Sequence, residues 1–354
     1  MLRVGARAFI AALVLAGCAG GDAARSGTVS LESEPGAISA PFGAEGKVFE
    51  AGKTRSLAGP VSDAYLGALA PLVVPEPGGG GALVYQSRSG DGPALRVHRG
   101  AGGPDTLLAD GALSAAWREG RLAYVRGAPV GKAGARRFVG RVVVRDGLDG
   151  RESRWTEAAG RYVAAAWAGR RLLVYRLRAG WPDLLVLDGP DRVRVLSPAG
   201  GLVAVSPDGR HAFLVSHGSS PPVVRVVEVA TGAERARLEL PDLRWVVESG
   251  SWSGDRVAAA TSEGIALFRV REEAVELEQM LGFPADEFQL AGLEPRLDAS
   301  GRLVTAWGSL VPRAREALGA AVVVECERLE LRCVRSQPFP EAPGPRVVFN
   351  PSRP

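Results

Sequence analysis

Apolar residues in this chain fall in short runs bounded by turn residues, and from about residue 65 onward those runs recur in a fixed order. Each copy opens on a glycine-containing turn, often followed by arginine, and then an apolar stretch. The copies are GGALVYQ at 80–86, EGRLAYV at 119–125, GRRLLVY at 169–175, DGRHAFLV at 208–215, GDRVAAAT at 254–261 and SGRLVTAW at 300–307. Their glycines, at 81, 120, 169, 209, 254 and 301, stand 39, 49, 40, 45 and 47 residues apart. Trp117, Trp167 and Trp252 come just ahead of three of the turns. Downstream follow a second apolar run, a polar turn and a fourth segment, clearest in VVRVVEVATGAERARLEL at 223–240. Val-rich runs this short argue strands rather than helices. Ser206-Pro207-Asp208-Gly209 is turn chemistry, because proline presets φ and glycine accepts positive φ.

Four strands per unit at this spacing match propeller blades, in which radial closure protects the sheet edges. The pattern predicts an all-β chain: a single six-bladed β-propeller of four-stranded antiparallel blades over 61–350, with seven blades as the alternative. The expected blades are 65–109, 112–156, 160–197, 200–240, 244–281 and 288–336. RVVFN at 346–350 could pair with the first blade and latch the ring, and a segment before residue 60 could supply a seventh blade.

The N-terminus reads as targeting sequence. Arg3 and Arg7 precede ten uninterrupted apolar residues, 8–17, too short to span a bilayer but suited to a signal peptide. LAGC at 15–18 resembles the bacterial lipobox. The resemblance implies a signal peptide at 1–17, acylation of Cys18 and anchoring in membrane lipid outside the cytoplasm. Ala19 after the cysteine would suggest the outer membrane in a diderm; in a monoderm the anchor sits on the external face of the cell membrane. Residues 18–60, rich in Gly, Ala, Ser, Glu and Pro, are expected to be a flexible tether, part of which could still pack on the body.

SPDGR at 206–210 resembles the TolB-like, or WD40-like, propeller repeat of bacterial envelope proteins, and LDASGR at 297–302 and SWSGDR at 251–256 are degraded versions. No Gly-His or Trp-Asp dipeptide occurs. CERLELRC at 326–333 resembles cysteine-bracketed hairpins of exported propellers. With Cys18 acylated, Cys326 and Cys333 remain as one pair, expected as a disulfide in an oxidising compartment, with two free thiols as the competing reading.

Charge narrows the partners. Removing Arg3 and Arg7 leaves 41 basic against 39 acidic residues, and the 40 arginines are interspersed with acids, so a nucleic-acid partner is not expected. His98, His211 and His217 stand in no metal-binding spacing, no G-x-S-x-G motif occurs, and AGKT at 51–54 lacks the earlier glycine of a phosphate loop, with Lys47 in its place. Asp146, Asp149 and Glu152 in RDGLDGRE could hold Ca²⁺, though two Asp-Gly turns explain them equally well. No other cofactor is implied.

In a four-stranded blade the B–C turns and D–A connections share one face. Long B–C connections are expected at 87–93, 126–137, 216–222 and 308–318, and long exposed loops are where function concentrates. Lys132, Arg136, Arg137, Trp181, His217, Arg313 and Arg315 form the candidate binding face. The resulting expectation is a non-catalytic scaffold for an envelope protein or complex, not an enzyme. Two alternatives stand beside it: a metal-assisted hydrolase or lyase using acids such as Asp183, Asp242 or Asp286, and a ligand sensor reporting to a membrane kinase.

Overall fold

A computed structural model describes residues 38–39, 47–50, 53–56, 73–75, 82–89, 92–99, 104–131, 137–179, 181–216, 218–244, 246–261, 264–282, 288–297, 301, 303–312, 320–327, 330–338 and 347–348, with side chains chiefly between Ala82 and Met280. Among these residues there are strands and no helix. Three come early: β1 (Ile38–Ser39), β2 (Lys47–Glu50) and β3 (Lys53–Ser56), the last two forming a hairpin.

Six four-stranded antiparallel sheets follow, each built from consecutive strands in simple meander order. The first holds β4 (Val73–Pro75), β5 (Ala82–Ser89), β6 (Gly92–Arg99) and β7 (Thr106–Asp110). The second holds β8 (Ala112–Arg118), β9 (Arg121–Val130), β10 (Arg137–Asp146) and β11 (Glu152–Arg154). In the third are β12 (Tyr162–Ala168), β13 (Arg171–Arg176), β14 (Asp183–Leu187) and β15 (Val193–Ser197). In the fourth are β16 (Gly200–Val205), β17 (His211–Ser216), β18 (Val223–Glu228) and β19 (Glu234–Glu239). The fifth comprises β20 (Val246–Ser253), β21 (Arg256–Thr261), β22 (Gly264–Val270) and β23 (Val275–Gly282). The sixth comprises β24 (Phe288–Leu297), β25 (Leu303–Pro312), β26 (Ala320–Glu327) and β27 (Glu330–Pro338), and β28 (Val347–Val348) is the last strand among the described residues.

First strands of consecutive sheets touch one another: β8 with β12, β12 with β16, β16 with β20, β20 with β24. These strands therefore gather at the inside, and the four strands of each blade run outward as A, B, C and D. Burial follows that order. Strands B and C are sandwiched between neighbouring blades and read as continuous apolar runs, as β13 and β14 show, because both of their faces are covered. The outer strands β15 and β19 alternate or are largely exposed. Between the first two blades Val84, Leu95, Ala112 and Leu122 share a cluster, and between the fourth and fifth Phe213, Val226, Val257 and Phe268 do the same.

Strand A carries a register shift in every blade from the second to the sixth, at 113/115, 164/166, 202/204, 246/250 and 291/294. A bulge takes backbone groups out of the ladder, and at three blade junctions a side chain of the preceding blade accepts the amide. Gln86 Oε1 accepts from Ser114 N (3.3 Å), Ser114 Oγ from Ala164 N (3.0 Å) and the Tyr175 hydroxyl from Leu202 N (2.6 Å). Arginines join the blades farther out: Arg145 donates to Leu108 O (3.2 Å), Arg225 to Ser197 Oγ (2.6 Å), and Arg194 to Val229 O.

Three expectations change. β28 lies against both β4 and β25, but it pairs antiparallel with β1, Ile38 opposite Val348 and Ser39 opposite Val347, and not with a strand of the first blade. Residues 38–56, expected within the tether, thus contribute β1 and the β2–β3 hairpin. The predicted B–C loops at 87–93 and 126–137 are shorter. β5 and β6 stay paired to Ser89 and Gly92, and β9 and β10 to Val130 and Arg137, because backbone pairing continues past the end of an apolar run. Gly127 and Gly140 pair across that second hairpin, where a Cβ on Gly127 would fall 2.1 Å from Val139 O. No seventh four-stranded sheet occurs among the described residues.

Candidate functional site

Backbone hydrogen bonds define two opposite ends of the molecule. At one end, A–B and C–D turns bond to each other: Gly147 N to Gly120 O, Val229 N to Arg210 O (2.8 Å) and Val270 N to Asp255 O (2.6 Å). At the other, B–C loops bond to D–A connections: Gly127 N to Gly111 O (2.8 Å), Leu177 N to Arg161 O (2.7 Å) and Leu240 N to Pro222 O (2.9 Å).

The A–B end is built from closely packed turns. In the SPDGR turn the Ser206 hydroxyl donates to Asp208 Oδ1 (2.6 Å) and accepts from His211 N (2.9 Å), while Arg210 N donates to Asp208 Oδ1 (2.9 Å). Burial alone would raise the Asp208 pKa, but those hydrogen bonds and the neighbouring positive charge of His211 and Arg210 outweigh it and hold the carboxyl below its ordinary range. Gly209 has a φ of 70° and sits on the preceding blade, where a Cβ would lie 2.2 Å from Gly169 N. The tryptophans ahead of the turns wedge between blades: Trp167 donates to Ala116 O (3.0 Å) of the second blade and packs edge-on to Trp155 at 5.6 Å, and Trp252 packs on Phe213 at 6.2 Å.

Glu152, Asp149 and Asp183, considered above for a cation or for catalysis, are engaged by arginines. Glu152 accepts from the Tyr124 hydroxyl and from Arg126 (2.6 Å), and Asp149 accepts from Arg99 (3.2 Å). Burial, then the hydrogen bond to Glu152, pushes the Tyr124 hydroxyl far above its usual range. Among the described residues no three His, Cys, Asp or Glu side chains converge as metal ligands, so the Ca²⁺ reading of 145–152 finds no support there. Asp183 is almost buried and clamped by Arg176 Nη2 (2.8 Å) and Arg178 Nε (2.7 Å), while Asp242 is exposed. Asp286 lies outside the described residues. Sequence reasoning gave His98 no role, yet it is buried with its Nδ1 2.6 Å from Asp105 Oδ1, and Asp105 Oδ2 accepts from the Tyr85 hydroxyl (2.8 Å).

Of the candidate face, Arg137 and Trp181 are described and both lie at the B–C end. Arg137 is exposed at the start of β10, opposite Val130, itself 55% exposed. Trp181, between β13 and β14, is also 55% exposed. Its indole reaches the next blade's B–C loop, where a Cβ on Gly218 would lie 3.0 Å from Trp181 Nε1. That contact joins the B–C connections of the third and fourth blades. Val130 and Arg178 are additions to the face; the RLRAGWPD sequence at 176–183 held Arg178 next to Trp181, but only the fold shows that its guanidinium caps Asp183. Lys132, Arg136, His217, Arg313, Arg315 and the anchor cysteine Cys18 lie outside the described residues. The register of the last hairpin places Cys326 opposite Leu331 and Cys333 opposite Val324, diagonal positions rather than facing ones.

The meander sheets and their radial packing define the class: this chain is a β-propeller. Solved structures agree on that fold. The β-propeller domain of Cps50 (Swd1) from Myceliophteria thermophila matches with a TM-score of 0.50 at 13% identity, over 79% of this chain and 90% of that domain. Acylaminoacyl peptidase from Pyrococcus horikoshii matches with a TM-score of 0.52 at 12% identity, over 82% of this chain and 48% of the peptidase. TolB from Acinetobacter baumannii matches at 14% identity with a TM-score of 0.39, over 68% of this chain and 65% of TolB, and adds no weight to the assignment. The chain thus spans less than two thirds of TolB and about half of the peptidase. No family model matches the chain, and no curated protein does.

Proposed function

We propose that this chain is a lipid-anchored, extracytoplasmic, TolB-like propeller that binds an envelope protein through its B–C face and does no chemistry of its own. The observation that carries the reading is Trp181, a large aromatic 55% exposed yet held against Gly218 by two adjacent blades. Tryptophan and arginine dominate the energetics of protein interfaces, and a ring already positioned loses little freedom on docking. Val130, Arg137 and Arg178 extend the same end with apolar and cationic groups. Asp183, at the same end, is engaged by two guanidinium groups, those of Arg176 and Arg178.

The lipobox-like LAGC at 15–18 supplies the anchor in this reading. Cross-linking in the native host followed by mass spectrometry tests it. The expected result is one abundant partner, lost in Trp181→Ala at unchanged protein level, with Cys18→Ala releasing the protein from the membrane fraction. A partner recovered equally well from Trp181→Ala would refute the assigned face.

A further inference from the structure

We propose that the A–B end of the third blade, opposite the face above, binds a phosphate monoester dianion. A pocket of about 540 Å³ opens there, lined by Arg170, Arg171, Asp188 and Arg192. It sits between the A–B turn that follows β12 and the C–D turn that precedes β15. The single carboxylate is already used: Arg171 Nε lies 2.5 Å from Asp188 Oδ1, and Arg194 Nε approaches Oδ2 at 3.8 Å. Arg170 and Arg192 are exposed, and neither side chain makes a hydrogen bond or ion pair among the described residues. Three guanidinium groups against one carboxylate leave the lining two positive charges in excess.

The rest of the molecule shows what is missing at this place. Elsewhere an outer strand supplies the acid that pairs with arginines of its blade: Glu152 on β11 with Arg126, and Glu278 on β23 with Arg256 and Arg269. β7, β11, β19 and β23 all contain Asp or Glu, whereas β15 reads Val-Arg-Val-Leu-Ser and contains none. The other acids nearby do not complete the lining. Asp208, on the neighbouring A–B turn, is bound by Ser206 and the Arg210 amide, and Asp191 does not line the pocket. The missing charge is therefore left to a ligand. Guanidinium forks suit phosphate oxygens, and a monoester at neutral pH carries a charge of about −1.5 to −2, matching the excess.

That chemistry is offered by a soluble phosphate ester or by a phosphatidic-acid headgroup, and titrating the full chain with each distinguishes them. Phenyl phosphate, followed by calorimetry, represents the soluble source. Phosphatidylcholine vesicles with and without phosphatidic acid represent the lipid. Saturable binding to one of these probes is expected, about tenfold weaker in Arg170→Gln/Arg192→Gln, the loss of one or two charge-assisted contacts. Arg121→Gln, on the same end of the second blade, should leave it unchanged. Arg192→Gln alone gives the same reading if the double variant fails to fold. The proposal is overturned if neither probe binds saturably, if the pocket variants bind as well as the original protein, or if Arg121→Gln weakens binding equally.

Discussion

Ser114 shows how much one side chain does in this molecule. It occupies the bulge of β8 with a φ of 49°, its amide donates to Gln86 in the blade before, and its hydroxyl accepts from Ala164 in the blade after. Tyr175 repeats the role for Leu202 one junction later. Ser114→Ala and Tyr175→Phe each strand a buried amide and should cost about 1–3 kcal/mol, read from urea unfolding. Values near zero would mean that the bulged strands are held by packing alone. Asp208 makes a prediction in pH. Its folded pKa is lowered, so its contribution is present above the ordinary carboxylate range of about 4 and is lost as pH falls through the lower folded value. The melting-temperature difference between the original protein and Asp208→Asn should be constant near neutrality and shrink only below about pH 4. A difference that instead shrank on raising the pH would contradict the assignment.

At the scale of elements, turns that look equivalent in sequence differ in what surrounds them. Gly209 and Gly254 open corresponding hairpins, and both have positive φ. A Cβ at Gly254 meets nothing within 4 Å, whereas at Gly209 it meets the backbone of Gly169. Gly254→Ala should cost about 1–2 kcal/mol for the backbone conformation alone. Gly209→Ala must also displace the neighbouring blade and should cost more than about 3 kcal/mol. Denaturation midpoints of the two variants decide it, and equal losses would refute the tight blade-to-blade stacking. The six turn-and-run units were legible because strands B and C are covered on both sides and must be apolar throughout. Strand ends were not, since Ser87 to Ser89 and Gly127 to Val130 extend the ladders through backbone pairing that hydrophobicity does not mark. The bulges were equally hidden, because the residue that receives a displaced amide lies in another blade, 28 positions away for Gln86 and Ser114 and 50 for Ser114 and Ala164.

For the whole molecule, the two proposed binding sites fall at opposite ends. Many of the arginines, which the sequence presents as scattered charge, enter ion pairs and hydrogen bonds within and between blades, while Arg170 and Arg192 stand exposed at one end and the Trp181 loop lies at the other. Trp181 was legible as an unusual loop residue; its seat on Gly218 was not, because the two belong to different repeats. The segment at 346–350 was legible as a late strand, but its partner was not, since β28 pairs with β1, ahead of the first blade. A strand of the segment between the expected anchor and the propeller is thereby tied to the end of the chain. The most direct test of a binding propeller is photo-cross-linking from defined positions in the native host. A photoreactive residue replaces Arg137 or Trp181 at the B–C end, or Arg121 or Thr231 at the A–B end. One partner protein should be captured from the first pair and not from the second. Capture from Arg121 and Thr231 alone, or no protein captured from any position, would contradict it.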